Sequence, residues 1–468
     1  MRNKQEDLEL AISQLDNNFS DAWNVISELA NGSYEPAMEF VADCYYRGKY
    51  VNMDETLAFK WFSRIIETYP DNGDIYRKIG DCYCYGYGVS ENHDEALFFY
   101  QQAWDKGAYN AGSDIGWLYA FGELSNHDEC EAGKWFQRAA DKGVPQGHYF
   151  LGYFYDKGYG GLPISTKLAY KHLREAADHD NLSALRYLLR EKHLCQNELE
   201  WEQVKCHMES IAQQGNTDMQ VALGMSYLFG FGVEKNADIA KYWLEMAAKQ
   251  HNKEAIFELG KAYLDSDSEF GFDAKKGYEY LLICAEDGNK DAMYELYRYY
   301  KWPYSYGRVP NKEDEKYALE WGIKAIEAGS RYICGDIAEL LFNGVGGQRD
   351  YERAAHYYQM ALKEDEKGTY YLPLAICYLK GNLSNANYRD VHTYLALANE
   401  YANDNAYYTG KKGEIEFWIG HMYEKGLGFD VNLEQAYVHF SKSNEYGFEE
   451  AKERICHYKK GFFGWKLT

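Results

Sequence analysis

Small and bulky apolar residues recur along this chain at helical spacing, separated by polar positions. In segment after segment a small residue opens the pattern: Ala22, Ala58, Ala96, Ala132, Ala169, Val204, Ala240, Gly277, Ala318, Ala354, Val391 and Ala436. Bulky pairs follow, such as Trp61 and Phe62, Phe99 and Tyr100, Trp135 and Phe136, or Tyr357 and Tyr358; small pairs follow those, such as Ala139 and Ala140, Ala176 and Ala177, or Ala247 and Ala248. Offsets of 0, 3, 4, 7 and 8 share one helical face, so each anchor predicts an amphipathic helix. A second track precedes the first. A helix-like segment ends in Tyr45, Tyr83, Tyr119, Tyr155, Tyr227, Tyr263, Tyr300, Tyr378 and Tyr423, with most steps near 36 to 38 residues or twice that. Glu191 or Lys192 and Leu341 stand at the two missing beats. The offset from tyrosine to the next anchor is 13 in most units. The intervening turn is often Gly-x-Gly, as at Gly86 and Gly88 or Gly230 and Gly232, where glycine supplies the positive φ that ends the first helix.

The predicted fold is all-α: a right-handed α/α superhelical solenoid of about eleven helix-turn-helix repeats, with a period of 36–38 residues. Residues 1–36 read as N-terminal capping helices, 37–447 as the solenoid, and 448–468 as a C-terminal capping helix and tail. The consensus L-G-x-x-Y-x-x-G-x-G-V, then A-x-x-W-Y/F-x-x-A-A-x-x-G, resembles the Sel-one-like repeat (SLR) family, a relative of the tetratricopeptide repeats. Leu223-Gly224, Tyr227 and Gly230-Phe231-Gly232-Val233 carry the first half; Ala132, Trp135-Phe136, Ala139-Ala140 and Gly143 carry the second. The resemblance spans about residues 20–468. It implies non-enzymatic scaffolding: adaptors, complex assembly and, in bacteria, partners of surface or secreted proteins. Some relatives carry a disulfide in every repeat. Here Cys44, Cys82 and Cys377 precede the tyrosine, and that variant is not matched.

Three departures from the period stand out. Tyr300 to Ala318 is 18 residues, and the excess includes Trp302, Tyr304, Tyr306 and Arg308, next to Tyr297 and Arg298. Tyr, Trp and Arg are enriched at interface hot spots, so this loop is a candidate binding element; folding back on its own helices is the equal alternative. An insertion near 401–413 is read first as a bend and second as a binding element. The unit at 184–220 has lost the glycines of its turn and the tyrosine at its beat and is read as a hinge or a packing compensation.

The position two before each tyrosine is expected on the inner, concave face, where solenoids commonly bind. It holds Asp43, Asp81, Trp117, Tyr153, Met225, Lys261, Arg298, Glu339, Ile376 and His421. Trp117, Phe121 and Tyr153 are expected to make one aromatic patch, with Met225 extending it; packing of helix on helix is the competing reading.

Composition narrows the function. The 468 residues carry 50 Lys and Arg against 73 Asp and Glu, a net charge of −23. That balance disfavours nucleic acid and anionic membrane as partners and favours a basic protein. The sequence has no signal-peptide-like apolar core near its start and no run long enough for a transmembrane helix. Ten cysteines without a CxxC pair read as a reduced, cytoplasmic protein, and the resemblance adds bacterial. Cys195, Cys206 and His207 fit no common zinc spacing, and the recurring Gly-x-Gly lacks a phosphate loop's context. No catalytic residue, cofactor or metal is expected. The leading expectation is a scaffold or adaptor that captures a protein partner on the concave face. The alternatives are an immunity-type protein sequestering a basic toxin and an accessory subunit of an enzyme. The oligomeric state is left open.

Overall fold

The computed structural model describes residues 3–124, 127–266, 270–364, 368–381, 387–406, 408–461 and 464–467. Twenty-five α-helices are described, with no β-structure among these residues beyond one C-terminal hairpin. In chain order two helices come first, four packed pairs and a fifth of Leu182–Arg190 with Glu198–Gln213 follow, and Thr217–Phe229 ends the first unit; Ala237–Lys249 opens the second, before five packed pairs and one last helix. The chain divides into two compact units, Met1–Asn236 and Ala237–Thr468. Within each, a helix packs on the one before it and the one after it.

One backbone hydrogen bond explains the constant spacing. In most repeats the N–H of the residue capping the second helix donates to the carbonyl of the tyrosine beat, as Asp54 to Tyr45 (3.0 Å), Asn92 to Tyr83 (2.8 Å), Asp128 to Tyr119 (3.2 Å) and Asn432 to Tyr423 (3.0 Å). The cap's own carbonyl then accepts the first helical bond from the anchor, as Asn92 does from Ala96 (3.0 Å). Leu341 accepts from Asp350 in the same way (3.1 Å), so the loss of tyrosine there leaves the turn intact.

The two glycines of the turn serve different ends. Gly86, at φ +73°, ends the Gly73–Tyr85 helix in the left-handed conformation. Gly88 lies against the Glu55 carbonyl in the first turn of the preceding unit's second helix, where any Cβ would collide with it. Gly160 meets Glu129, and Gly346 meets Glu315, in the same way. The glycine of the Leu-Gly beat makes a third close approach: Gly116 lies under Phe136, and Gly152 under Leu173.

In the degenerate unit a 3₁₀ turn, Lys192–Leu194, replaces the glycine turn between Leu182–Arg190 and Glu198–Gln213. Buried Trp201 fills the gap, its indole N–H aimed at the Leu189 carbonyl (3.5 Å). At the C-terminus the expected capping helix is shorter, Glu449–Ile455, and the tail is a hairpin in which Tyr458–Gly461 pairs with Gly464–Leu467. Trp465 stacks on Tyr437 with centroids 4.1 Å apart, and Tyr458 is buried beside Phe440.

Candidate partner-binding surface

In the Met1–Asn236 unit the acidic start of the inner stripe is occupied internally. Asp43 accepts from Lys78 (2.6 Å), and Asp81 accepts from the buried Tyr100 hydroxyl (2.8 Å). Burial raises the Asp81 carboxyl above its ordinary range, against the opposing pull of Arg77. From the same helix as Asp81, Arg77 binds Asp114 of the Ala111–Phe121 helix through Nε (2.5 Å). Asp43–Lys78 and Arg77–Asp114 join first helices of neighbouring pairs, while Asp81–Tyr100 ties the two helices of one pair.

The aromatic part of the stripe is more open. Trp117 is half-buried near the end of the Ala111–Phe121 helix, and Phe121, 47% exposed, lies 6.2 Å from it between ring centroids. On the Pro145–Lys157 helix Tyr153 is half-buried, its ring 5.7 Å from both Tyr159 and Tyr187. Tyr187 donates to Asp156 (2.6 Å), which anchors that group. No ring contact joins Trp117 to Tyr153 among the described residues, so the expected single patch is two neighbouring groups. Met225 is half-buried on Thr217–Phe229.

Sequence reasoning passed over Tyr85, exposed on the preceding first helix with Tyr87 5.6 Å away. The signal was present, because Tyr85 and Phe121 both stand two residues after the tyrosine beat.

In the Ala237–Thr468 unit the loop after Lys290–Lys301 folds back on its own helices. Tyr297 is fully buried and belongs to the core. Tyr306 is buried with its ring 5.4 Å from Tyr299. Arg308 lies over the Tyr299 ring (4.2 Å) and donates to the Tyr299 carbonyl (2.9 Å) and to buried Asp314 (2.7 Å). Arg298 pairs with Glu295 (3.1 Å). Of this group, Trp302 and Tyr304 remain exposed, Tyr304 at 78%.

Among the described residues no group of three or more His, Cys, Asp or Glu is placed to hold a metal ion, and no helix is long and apolar enough to cross a membrane. All ten cysteines are free thiols.

Against known families, the Sel1 repeat model matches residues 36–67, 76–107, 105–144, 145–181, 217–252, 253–289, 304–330, 333–365 and 416–445. Two of the unmatched stretches, 182–216 and 366–415, hold most of the degenerate unit and all of the second insertion. Rat (Rattus norvegicus) sel-1 homolog 2 is 25% identical over 208 residues, 42% of this chain and 30% of that protein. The chitin synthase regulator SKT5 of Saccharomyces cerevisiae is 28% identical over 224 residues, 46% of this chain and 30% of that protein. The matches thus span under a third of the length of these curated relatives. A solved protective antigen of uropathogenic Escherichia coli with an SLR fold is 22% identical, covering 92% of this chain and 90% of that one at a TM-score of 0.36.

Proposed function

From a chain that belongs to the Sel1 repeat family, whose repeats generally serve as protein-interaction scaffolds, we propose a non-enzymatic scaffold that captures one protein partner along the aromatic edge of the Met1–Asn236 unit. The observation that carries this reading is the exposure of Tyr85 and Phe121 at the same beat of successive first helices, beside half-buried Trp117. Aromatic side chains at regular intervals offer a large apolar contact area at small entropic cost. A charge of −23 favours a basic partner. An immunity-type protein that sequesters a basic toxin, or an accessory subunit on a basic enzyme, are the two concrete forms this scaffold can take.

The test begins with capture of the partner from the native host at low and high salt, with identification by mass spectrometry. Phe121→Ala is then compared with wild type. Because the ring is exposed, the helical circular dichroism signal should stay the same while affinity falls about tenfold, the loss of a moderate hot spot. Equal affinity in wild type and variant removes this edge from the interface. A partner lost at high salt and toxic when expressed alone favours sequestration; an active enzyme that stays bound favours the accessory subunit.

A further inference from the structure

Beyond that reading, a second feature lies wholly within the Ala237–Thr468 unit. A cleft of about 300 Å³ opens between the Cys334–Asn343 helix, the start of Tyr371–Gly381 and the Thr409–Lys411 turn. Tyr358, Tyr370 and Tyr408 line it together with Glu339, Glu414 and Lys411. The rings form a connected set: Phe342 lies 6.4 Å from Tyr358, and Tyr358 lies 5.8 Å from Tyr370. Tyr408 is held in place by its hydroxyl, which donates to the Thr369 carbonyl (3.2 Å). Gly335 lets the Tyr370 hydroxyl approach the helix backbone, where a Cβ would collide with it.

The charge in the cleft is not balanced. Lys411 is paired with Glu414 (2.9 Å). Glu339 is exposed at the mouth and has no ion-pair partner among the described residues. Tyrosine rings with an uncompensated carboxylate attract a cation, through the quadrupole of the rings and the charge of the carboxylate together. The volume is at the small end for ligand pockets, which suits one side chain better than a larger molecule. Guanidinium is the best match, being planar enough to lie against a ring and able to give two parallel hydrogen bonds to one carboxylate. The same unit already contains this arrangement internally, with Arg308 over Tyr299 and bound to Asp314.

We propose that this cleft receives a single arginine side chain from an extended segment of a partner protein, with Glu339 as its carboxylate and Tyr358, Tyr370 and Tyr408 as its aromatic wall. The insertion at 401–413 then has a binding purpose, because it supplies Tyr408 and Lys411.

Calorimetry and saturation-transfer NMR on the full chain test this with three probes: an acetylated Gly-Ser peptide with one central arginine, the same peptide with citrulline, and N-acetyl-arginine amide. Citrulline keeps the shape and loses the charge. The arginine peptide should bind about tenfold more tightly than the citrulline peptide. Glu339→Gln should abolish that preference, while Glu352→Gln, an exposed acid on a neighbouring helix, should preserve it. Unchanged melting of both variants excludes misfolding as the cause. Equal binding of the arginine and citrulline peptides overturns the proposal, as does an equal effect of the two substitutions, which would reveal general attraction to an acidic protein. Binding of the amide as tight as that of the peptide overturns the peptide source and leaves a small-cation site.

Discussion

Inside one helix pair His148 and His172 face each other through Nδ1 atoms 3.0 Å apart, with Tyr155 stacked on His172. At that separation one ring donates and the other accepts, so the accepting imidazole is neutral and the two rings cannot both be protonated. Burial lowers the His172 pKa to about 4, with His148 and Lys171 adding to the shift and Asp141 and Glu175 opposing it. His148 is lowered as well, chiefly by burial, with Glu175 and Asp141 opposing and His179 adding. The unfolded chain therefore takes up protons below pH 6.5 that the folded pair refuses. Stability contributed by the neutral pair is complete above that pH and drains away as pH falls toward 4. His172→Gln should remove about 1–3 kcal/mol of the acid destabilisation between pH 7.5 and 5, read from urea midpoints at the two pH values. An identical acid loss in wild type and variant would exclude the pair as its source. His172 stands three residues after the Ala169 anchor and His148 seven before the Tyr155 beat, the same two positions at which His439 meets Glu416, so the register was legible in the repeat while the contact itself came from the packing of the two helices.

At the scale of elements, the C-terminal hairpin covers the exposed face of the last repeat. Its anchor is Glu424, whose side chain is fully buried and accepts from Arg454 Nε (2.9 Å) and from the Tyr458 hydroxyl (2.7 Å). Burial alone would raise the Glu424 carboxyl; the Arg454 and Tyr458 hydrogen bonds win and lower it. Trp465→Ala should therefore lower the midpoint of thermal unfolding by several degrees, roughly 3 kcal/mol for a large aromatic at a packed cap. An unchanged midpoint would reduce the hairpin to a passive tail. Residues 448–468 read as a capping helix and tail, yet the chain turns to strand soon after Ile455. An antiparallel pair satisfies its own backbone groups while lying over an apolar helix face. The loop at 301–310 presents the same problem in reverse. Its residue types are those of an interface, but Arg308 is committed to buried Asp314 and leaves Trp302 and Tyr304 outside.

For the whole molecule, the excess of 73 acidic over 50 basic residues sets a long-range field. Association with a basic partner should slow about tenfold in stopped-flow measurements from about 0.05 to 0.5 M salt, as the Debye length contracts. A rate indifferent to salt would exclude steering and with it the case for a basic partner. Composition alone carries this prediction, because it depends on net charge and hardly on where each carboxylate stands.

The amino-acid pattern by itself determined the period, the pairing of helices and the location of irregular units, since each repeat satisfies the same local demands: a cap, an αL glycine and a small residue under a bulky one. Tertiary structure alone decided which aromatics are available. Tyr297 and Trp302 belong to one aromatic run, yet one is core and the other is exposed. Helical spacing specifies the face a side chain occupies, while burial depends on what the neighbouring repeat places over that face. The cleft makes the same point more strongly. Glu339, Tyr370 and Tyr408 come from separate helices and turns, and the packing of those elements brings them together around one space.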